Sequence, residues 1–289
     1  LCVRGIGSTF QQPAIQSIIP QLVPKDQLVK TNGWMQLLNS GSFLLGPVIG
    51  ASLYAIFPMS VVLMSDVAGA ILASIALAVV KIPKLEKTEQ EEQHFTAEIK
   101  EGLQVFKEDK KLLHIVTAEA LCMFFYAPLS SFYPLMTSDY FKLSAMYGSA
   151  VELSFAIGMM VSSLLFSSVL KINRKIRVSF IGLLGMGIMS LICGIIPPVP
   201  VGWFFFAGSC IFLGAFGNVH TIPLTAYMQE TISPDKMGRA FSVLTLISSV
   251  TMPVGLLFSS PIAERVGVNV WCFISGLCMI VLTAGVSLR

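Results

Sequence analysis

The chain has 289 residues, of which 54% are hydrophobic and 12% charged, with a net charge of +3 and a mean hydropathy of +0.77. A soluble domain of this length carries about twice that charge, so a water-soluble globule is excluded. The net positive charge is too small to mark a nucleic-acid surface, and its placement along the chain has a different cause.

Nine apolar runs divide the chain, at about 1–22, 32–56, 58–80, 112–138, 147–170, 178–196, 201–228, 240–263 and 268–288. Each is close to the length that crosses a hydrocarbon core of roughly 30 Å as a helix. Leu1 itself falls within an apolar run, so sequence upstream of it is expected. The joints alternate in charge. One set holds Lys25 and Lys30, then seven lysines between 81 and 111, then Lys171, Arg174, Lys175 and Arg177, then Lys236 and Arg239, and Arg289. The other set holds only Lys142 and Arg265. Basic joints stay in the cytoplasm, which fixes the orientation. All six cysteines lie inside apolar runs without a Cys-x-x-Cys spacing and read as small packing residues.

The polar stretch 81–111 is nearly neutral. Its first part, Glu86 to Gln93, has no apolar period and reads as linker. In its second part Phe95, Ile99, Leu103 and Phe106 recur at helical spacing, which predicts an amphipathic helix on the membrane surface or the bundle floor.

A weak repeat relates the start of the chain to its later part. Gly7, Pro13 and Pro24 recur at an offset of 210 as Gly217, Pro223 and Pro234, and both spans run outside to inside. Span 201–228 is the fourth after the polar stretch, so span 1–22 is the fourth of its own half. Three further spans are then expected before Leu1, giving two parallel halves of six. The domain expectation is 1–80 for the last three helices of the first half, 81–111 for the linker with its amphipathic helix, and 112–289 for the second half.

No Gly-x-Ser-x-Gly, His-Glu-x-x-His or Walker A sequence occurs, which argues against an enzyme and against an ATP-driven pump; no cofactor or metal is expected. Membrane transport needs instead polar groups near the midplane, usually one that titrates. Counting about 1.5 Å per residue from the nearest cytoplasmic charge places Glu119 about 12 Å deep and His220 about 15 Å deep, with Asp66 at about 22 Å and Arg4 near the outer surface. Glu119 and His220 are therefore the deepest pair. A carboxyl in an apolar setting can load and release a proton, so Glu119 is the first candidate for proton coupling and His220 its partner or a ligand contact. The alternative is a carboxylate that snorkels or satisfies backbone, and a packed histidine. Met123, Tyr126 and Ser130 share a face with Glu119, and Gly217, Leu224 and Tyr227 one with His220. These faces suit a bulky amphiphilic ligand.

Local motifs carry a family resemblance. Span 32–56 contains Gly33, Ser42, Gly46, Pro47, Gly50 and Ala51 in the spacing of the antiporter motif of drug exporters, with Ser42 and Ala51 in place of glycines. Small residues there permit close helix contact and Pro47 favours a kink. Arg4-Gly5-Ile6-Gly7-Ser8-Thr9-Phe10, Pro13-Ala14, Leu22-Val23-Pro24, Asn32-Gly33, Asp66-Val67, Gly69-Ala70 and Glu101-Gly102-Leu103 are similar to the macrolide-efflux branch of the major facilitator superfamily. The superfamily's basic loop signature survives only as Asn173-Arg174-Lys175-Ile176-Arg177, without its acid and glycine.

The resemblance implies an all-α, polytopic membrane protein with a bundle of two parallel six-helix halves. It implies a proton-coupled exporter of macrolide-like or other amphiphilic drugs, multi-pass in a bacterial plasma membrane, acting as a monomer. It makes Arg4 a further proton-coupling candidate beside Glu119, with an outward snorkel as the alternative; Asp66 is a third candidate, with a structural pairing to a neighbouring helix as its alternative. Gln11, Gln12, Met123, Tyr126, Asn218, His220 and Tyr227 become candidate cavity residues, and Gly46, Pro47 and Gly50 the kink motif. Export of a siderophore or lysophospholipid fits the same fold. A chain without the upstream spans would instead be a non-transporting binding or scaffold protein.

Overall fold

A computed structural model describes residues 2–79, 95–168 and 172–287, with side chains described from residue 11 onward and, in the second stretch, from residue 99. The linker part Glu86 to Gln93 and the side chain of Arg4 lie outside the described residues. Ten α-helices follow in order: α1 (Cys2–Leu22), α2 (Leu28–Ile56), α3 (Met59–Val79), α4 (Phe95–Glu108), α5 (Lys110–Leu135), α6 (Ala145–Ser168), α7 (Lys175–Ile195), α8 (Pro200–Thr231), α9 (Pro234–Val266) and α10 (Val268–Ser287). The expected runs all appear as helices, and the amphipathic stretch as α4. Eight of the described helices are long and apolar enough to cross a membrane. The first expected span, now α1, is not among them, because Arg4, Gln11, Gln12, Gln16 and Gln21 dilute its apolar content.

Helix ends follow local chemistry. Pro200 and Pro234 open α8 and α9 at the first turn, where a missing N–H costs nothing. Asp109 caps α5, accepting from the amides of Lys111 at 2.8 Å and Leu112 at 3.4 Å. Gly267, at φ +102°, ends α9 in a conformation that favours glycine, and its amide reaches back to the Ala263 carbonyl. Helices α5, α8 and α9 carry internal prolines at 128 and 134, at 223, and at 253 and 261. Each removes one backbone hydrogen bond from its helix.

Helix α8 is the hub. It packs against α7 and α6; α7 also packs on α10, α6 on α2, α10 on α5, α5 on α9, and α1 reaches α9 and α8. Close approach is set by glycine. A Cβ on Gly158 of α6 would strike the Ile211 carbonyl of α8, and one on Gly214 of α8 would strike the Phe155 carbonyl of α6. Gly194 and Gly276 play the same part between α7 and α10, against Phe273 and Leu191. Without a solvent-driven hydrophobic term inside lipid, such backbone-to-backbone packing holds helices together. Helix α3 packs on α2, and its other faces are exposed apolar surface.

One end of the bundle collects the basic joints. Lys175 pairs with Glu230 at 2.8 Å, Lys25 donates to the Glu230 carbonyl at 3.4 Å, Lys236 pairs with Glu108 at 3.2 Å, and Arg239 pairs with Glu101. The positive-inside rule reads that end as cytoplasmic. Helix α4 lies across it as a floor, packed on α9 and α5. Its seat is not the expected stripe in full. Val105 and Phe106 are buried and Gly102 lies against Arg239 and Val243, whereas Leu103 is 44% exposed. With 3.6 residues per turn the face running through 99, 102 and 106 leaves residue 103 at its edge.

Candidate functional site

Helix α5 carries Glu119 about two and a half turns from its Asp109 cap, and α8 carries His220 on the side that meets α7. The structure brings the two together: Glu119 Oε1 lies 3.7 Å from His220 Nε2. The histidine side chain is fully buried and the glutamate 21% exposed. Neither Glu119 Oε2 nor His220 Nε2 has a hydrogen-bond partner among the described residues. On the other side of the ring, His220 Nδ1 lies 2.7 Å from Ser179 Oγ and 3.3 Å from the Ser179 carbonyl, both on α7. Gly182, one turn along α7, makes room for this, because a Cβ there would strike the His220 backbone.

Ser179 thus offers Nδ1 both a donor and an acceptor. The ring keeps a partner at Nδ1 in either neutral tautomer, and Nε2 can carry or lack its proton while facing the carboxyl. A void of about 10 Å³ lies beside Glu119, lined by Met123, Leu244, Ile247 and Ser248. Met123 is half-buried and lines that void, whereas Tyr126 is half-buried against the core further along α5.

The other expected residues go elsewhere. Asn218 is buried and serves as a cross-link rather than a cavity wall. Its Nδ2 donates to the Met159 carbonyl at 2.7 Å and to Ser163 Oγ at 2.9 Å and Ser162 Oγ at 3.2 Å, while Oδ1 accepts from Gln36 Nε2 of α2 at 2.9 Å. Replacing it (Asn218→Leu) leaves those α6 groups and Gln36 without their partner. Intramembrane hydrogen bonds measure about 0.6 kcal/mol each, so the loss is expected near ~2 kcal/mol, read as a lower midpoint in detergent thermal unfolding.

Tyr227 lies away from the void at Glu119 and lines a cleft at the basic end of the bundle. Its hydroxyl donates to Asp109 Oδ2 at 2.7 Å, tying the end of α8 to the start of α5. Partial burial works against ionisation of Asp109, but the Tyr227 hydroxyl and the amides of Lys111 and Leu112 outweigh it and hold the carboxyl below its ordinary value. Gln11 and Gln12 are exposed on α1, and Asp66 is exposed on α3. A Cβ added at Gly46 or Gly50 meets no atom within 4 Å among the described residues, whereas the Cβ position of Gly33 falls 2.8 Å from the Ser167 amide of α6, so Gly33 makes a close helix contact.

The structure adds polar residues that the sequence reading left aside. Gln229 of α8 accepts from Asn32 of α2 at 2.6 Å and donates to the backbone and side chain of Gln16 in α1 at 3.0 and 3.1 Å. With Gln36–Asn218 and Lys25–Glu230, these bonds join α1 and α2 to α8 across the cytoplasmic half. The signal was present as amide side chains spaced along apolar helices, but it does not say which neighbour they face.

The chain resembles known proteins over nearly its whole length. It is 36% identical over 281 residues to macrolide efflux protein A of Streptococcus pyogenes, covering 97% of this chain and 69% of the relative. It is 34% identical over 257 residues to macrolide efflux protein A of Enterococcus faecalis, covering 89% and 79%. The crystal structure of the human organic anion transporter MFSD10 superposes with a TM-score of 0.75 at 13% identity, over 94% of this chain and 66% of that one. That likeness speaks for the fold alone, and the chain spans about two thirds of that structure's length. The Major Facilitator Superfamily profile matches residues 1–256, and with the helical bundle and these relatives it establishes that the chain belongs to that superfamily.

Proposed function

We propose that this chain forms part of a secondary active exporter that moves macrolide-like amphiphilic compounds outward in exchange for protons. The observation that carries the reading is the Glu119–His220 pair: the unsatisfied Nε2 of the buried His220 lies 3.7 Å from Glu119 Oε1, and Glu119 Oε2 has no hydrogen-bond partner among the described residues. An intramembrane carboxyl with a histidine neighbour is the kind of group that binds and releases a coupling ion. The macrolide relatives supply the substrate class.

In this scheme Glu119 takes a proton from the outer side, and the proton is shared with His220 Nε2 while Ser179 holds the ring. The void beside Glu119 admits at most one water. A drug-sized ligand therefore reaches the carboxyl only when α5 and α9 part. Met123 and Tyr126 would line the space that opens. Arg4 and Asp66 remain secondary coupling candidates, and Gln11 and Gln12 candidate ligand donors on α1. Residues 1–80 and 112–289 act as two lobes joined by 81–111, in a bacterial plasma membrane and as a monomer.

The test uses everted vesicles from cells expressing the full-length gene. An acidic lumen is expected to drive accumulation of a labelled macrolide, and a protonophore to abolish it. Accumulation that ignores the pH gradient removes proton exchange; no accumulation of any macrolide removes the substrate class.

A further inference from the structure

A cleft far larger than the void at Glu119 lies elsewhere in the described bundle. A cavity of about 910 Å³ opens at the basic end between α5, α7, α8 and α10. Its mouth carries Lys111, Arg174, Lys175 and Arg177. Among the described residues the only carboxylate lining it is Glu230, and Lys175 already holds that group at 2.8 Å. Asp109, close by, is engaged by Tyr227 and by the start of α5. Arg174 and Arg177 are exposed and have no carboxylate within ion-pair distance among the described residues. Further along α7 the same wall turns apolar, through Phe180, Ile181 and Leu184. Arg177 to Leu184 spans about 10 Å of helix, so charge gives way to hydrocarbon over roughly two turns.

That gradient has the shape of a lipid in the cytoplasmic leaflet. Two free guanidinium forks suit the oxygens of a phosphate, and the apolar wall below suits the start of an acyl chain. Basic pockets between membrane helices on the cytoplasmic side bind acidic headgroups in this way. A soluble anion would use the mouth but gain nothing from the wall. A zwitterionic lipid would use the wall but bring its own ammonium to the cations.

We propose that this cleft is a binding site for an anionic glycerophospholipid, its phosphate held by Arg174 and Arg177 and its upper acyl chain lying along Phe180, Ile181 and Leu184. The site is separate from the Glu119–His220 pair and does not depend on the transport reading. Occupancy would brace the cytoplasmic ends of α7, α8 and α10 against one another.

The experiment is native mass spectrometry of the purified protein exchanged into nanodiscs of phosphatidylcholine with a fraction of phosphatidylglycerol. The wild type is expected to retain phosphatidylglycerol in preference to phosphatidylcholine. The double variant R174Q/R177Q, in which both forks are lost, is expected to lower that retention by roughly tenfold. Ile181→Asn, which leaves the cations in place, is expected to weaken it too, and soluble glycerophosphoglycerol is expected not to compete. Equal retention of phosphatidylglycerol by wild type and R174Q/R177Q overturns the proposal. Full displacement by the soluble headgroup, with Ile181→Asn unchanged, shows a plain phosphate site and overturns the lipid assignment. Circular dichroism and thermal midpoints of each variant separate lost binding from lost folding.

Discussion

Glu119→Gln is expected to abolish pH-driven macrolide accumulation in everted vesicles, bringing it to the level of vesicles without the protein. The amide keeps the size and most of the polarity of the side chain but cannot take up a proton. Because the 3.7 Å approach to His220 is no strong hydrogen bond in the ground state, little binding energy is lost with the charge. Macrolide affinity is therefore expected to stay within about threefold of wild type, under ~0.7 kcal/mol. Substrate-dependent proton release, followed with a pH-sensitive dye, is expected to vanish. Ser179→Ala provides the graded control. It removes one partner of Nδ1 but leaves the Ser179 carbonyl as an acceptor, so it is expected to shift the pH dependence of transport rather than end it. Unchanged coupled transport in Glu119→Gln would leave the pair as a structural contact.

The second large effect concerns folding. Gly158→Val is expected to destabilise the bundle by about 3 kcal/mol or more, the upper range for overpacking. The obstacle at Gly158 is the Ile211 carbonyl, and backbone cannot swing aside as a side chain can. Relief requires α6 and α8 to separate, which also pulls Gly214 from the Phe155 carbonyl and strains Asn218's three bonds to α6. Gly208→Ala in the same α8 helix is the matched control. No atom of the described residues lies within 4 Å of its Cβ position, so the gain in helix propensity should leave stability unchanged or raised by up to ~1 kcal/mol. Midpoints from thermal unfolding in one detergent decide the matter. A midpoint for Gly158→Val at or above that of wild type would mean that glycine acts here through propensity alone.

The spans were legible because two independent signals agree on them. Apolar length marks each helix, and lysine and arginine mark alternate joints; the ion pairs Lys175–Glu230 and Arg239–Glu101 lie at the end that those joints define. The Glu119–His220 pair was legible by counting residues from charged anchors, since helix rise converts sequence directly into depth. Azimuth is harder. Asn218 and His220 are two residues apart on α8 and equally polar, yet one faces α2 and α6 and the other α5 and α7. Sequence periodicity separates such faces only when polar and apolar residues segregate, and within lipid both faces of α8 are largely apolar. Tyr227 lines the cleft at the basic end and not the void at Glu119. Its long ring reaches past its own turn to a carboxylate on another helix. The stripe of α4 was read correctly in period but placed about one residue off, which put Leu103 outside and Gly102 inside.

Pro223 has a mechanical consequence. Above it, α8 is bolted to α6 by the Gly158–Gly214 approach and by Asn218; below it, Gln229 clasps α1 and α2. The proline deletes a ladder bond between these two anchorages, within a turn of His220. A swing of roughly 10° at that joint would carry Gln229, six residues further along the helix, through about 1.6 Å. That distance takes its bonds to Asn32 and Gln16 beyond hydrogen-bond reach, and in the proposed exchange cycle a proton bound by the Glu119–His220 pair would act within a turn of this joint.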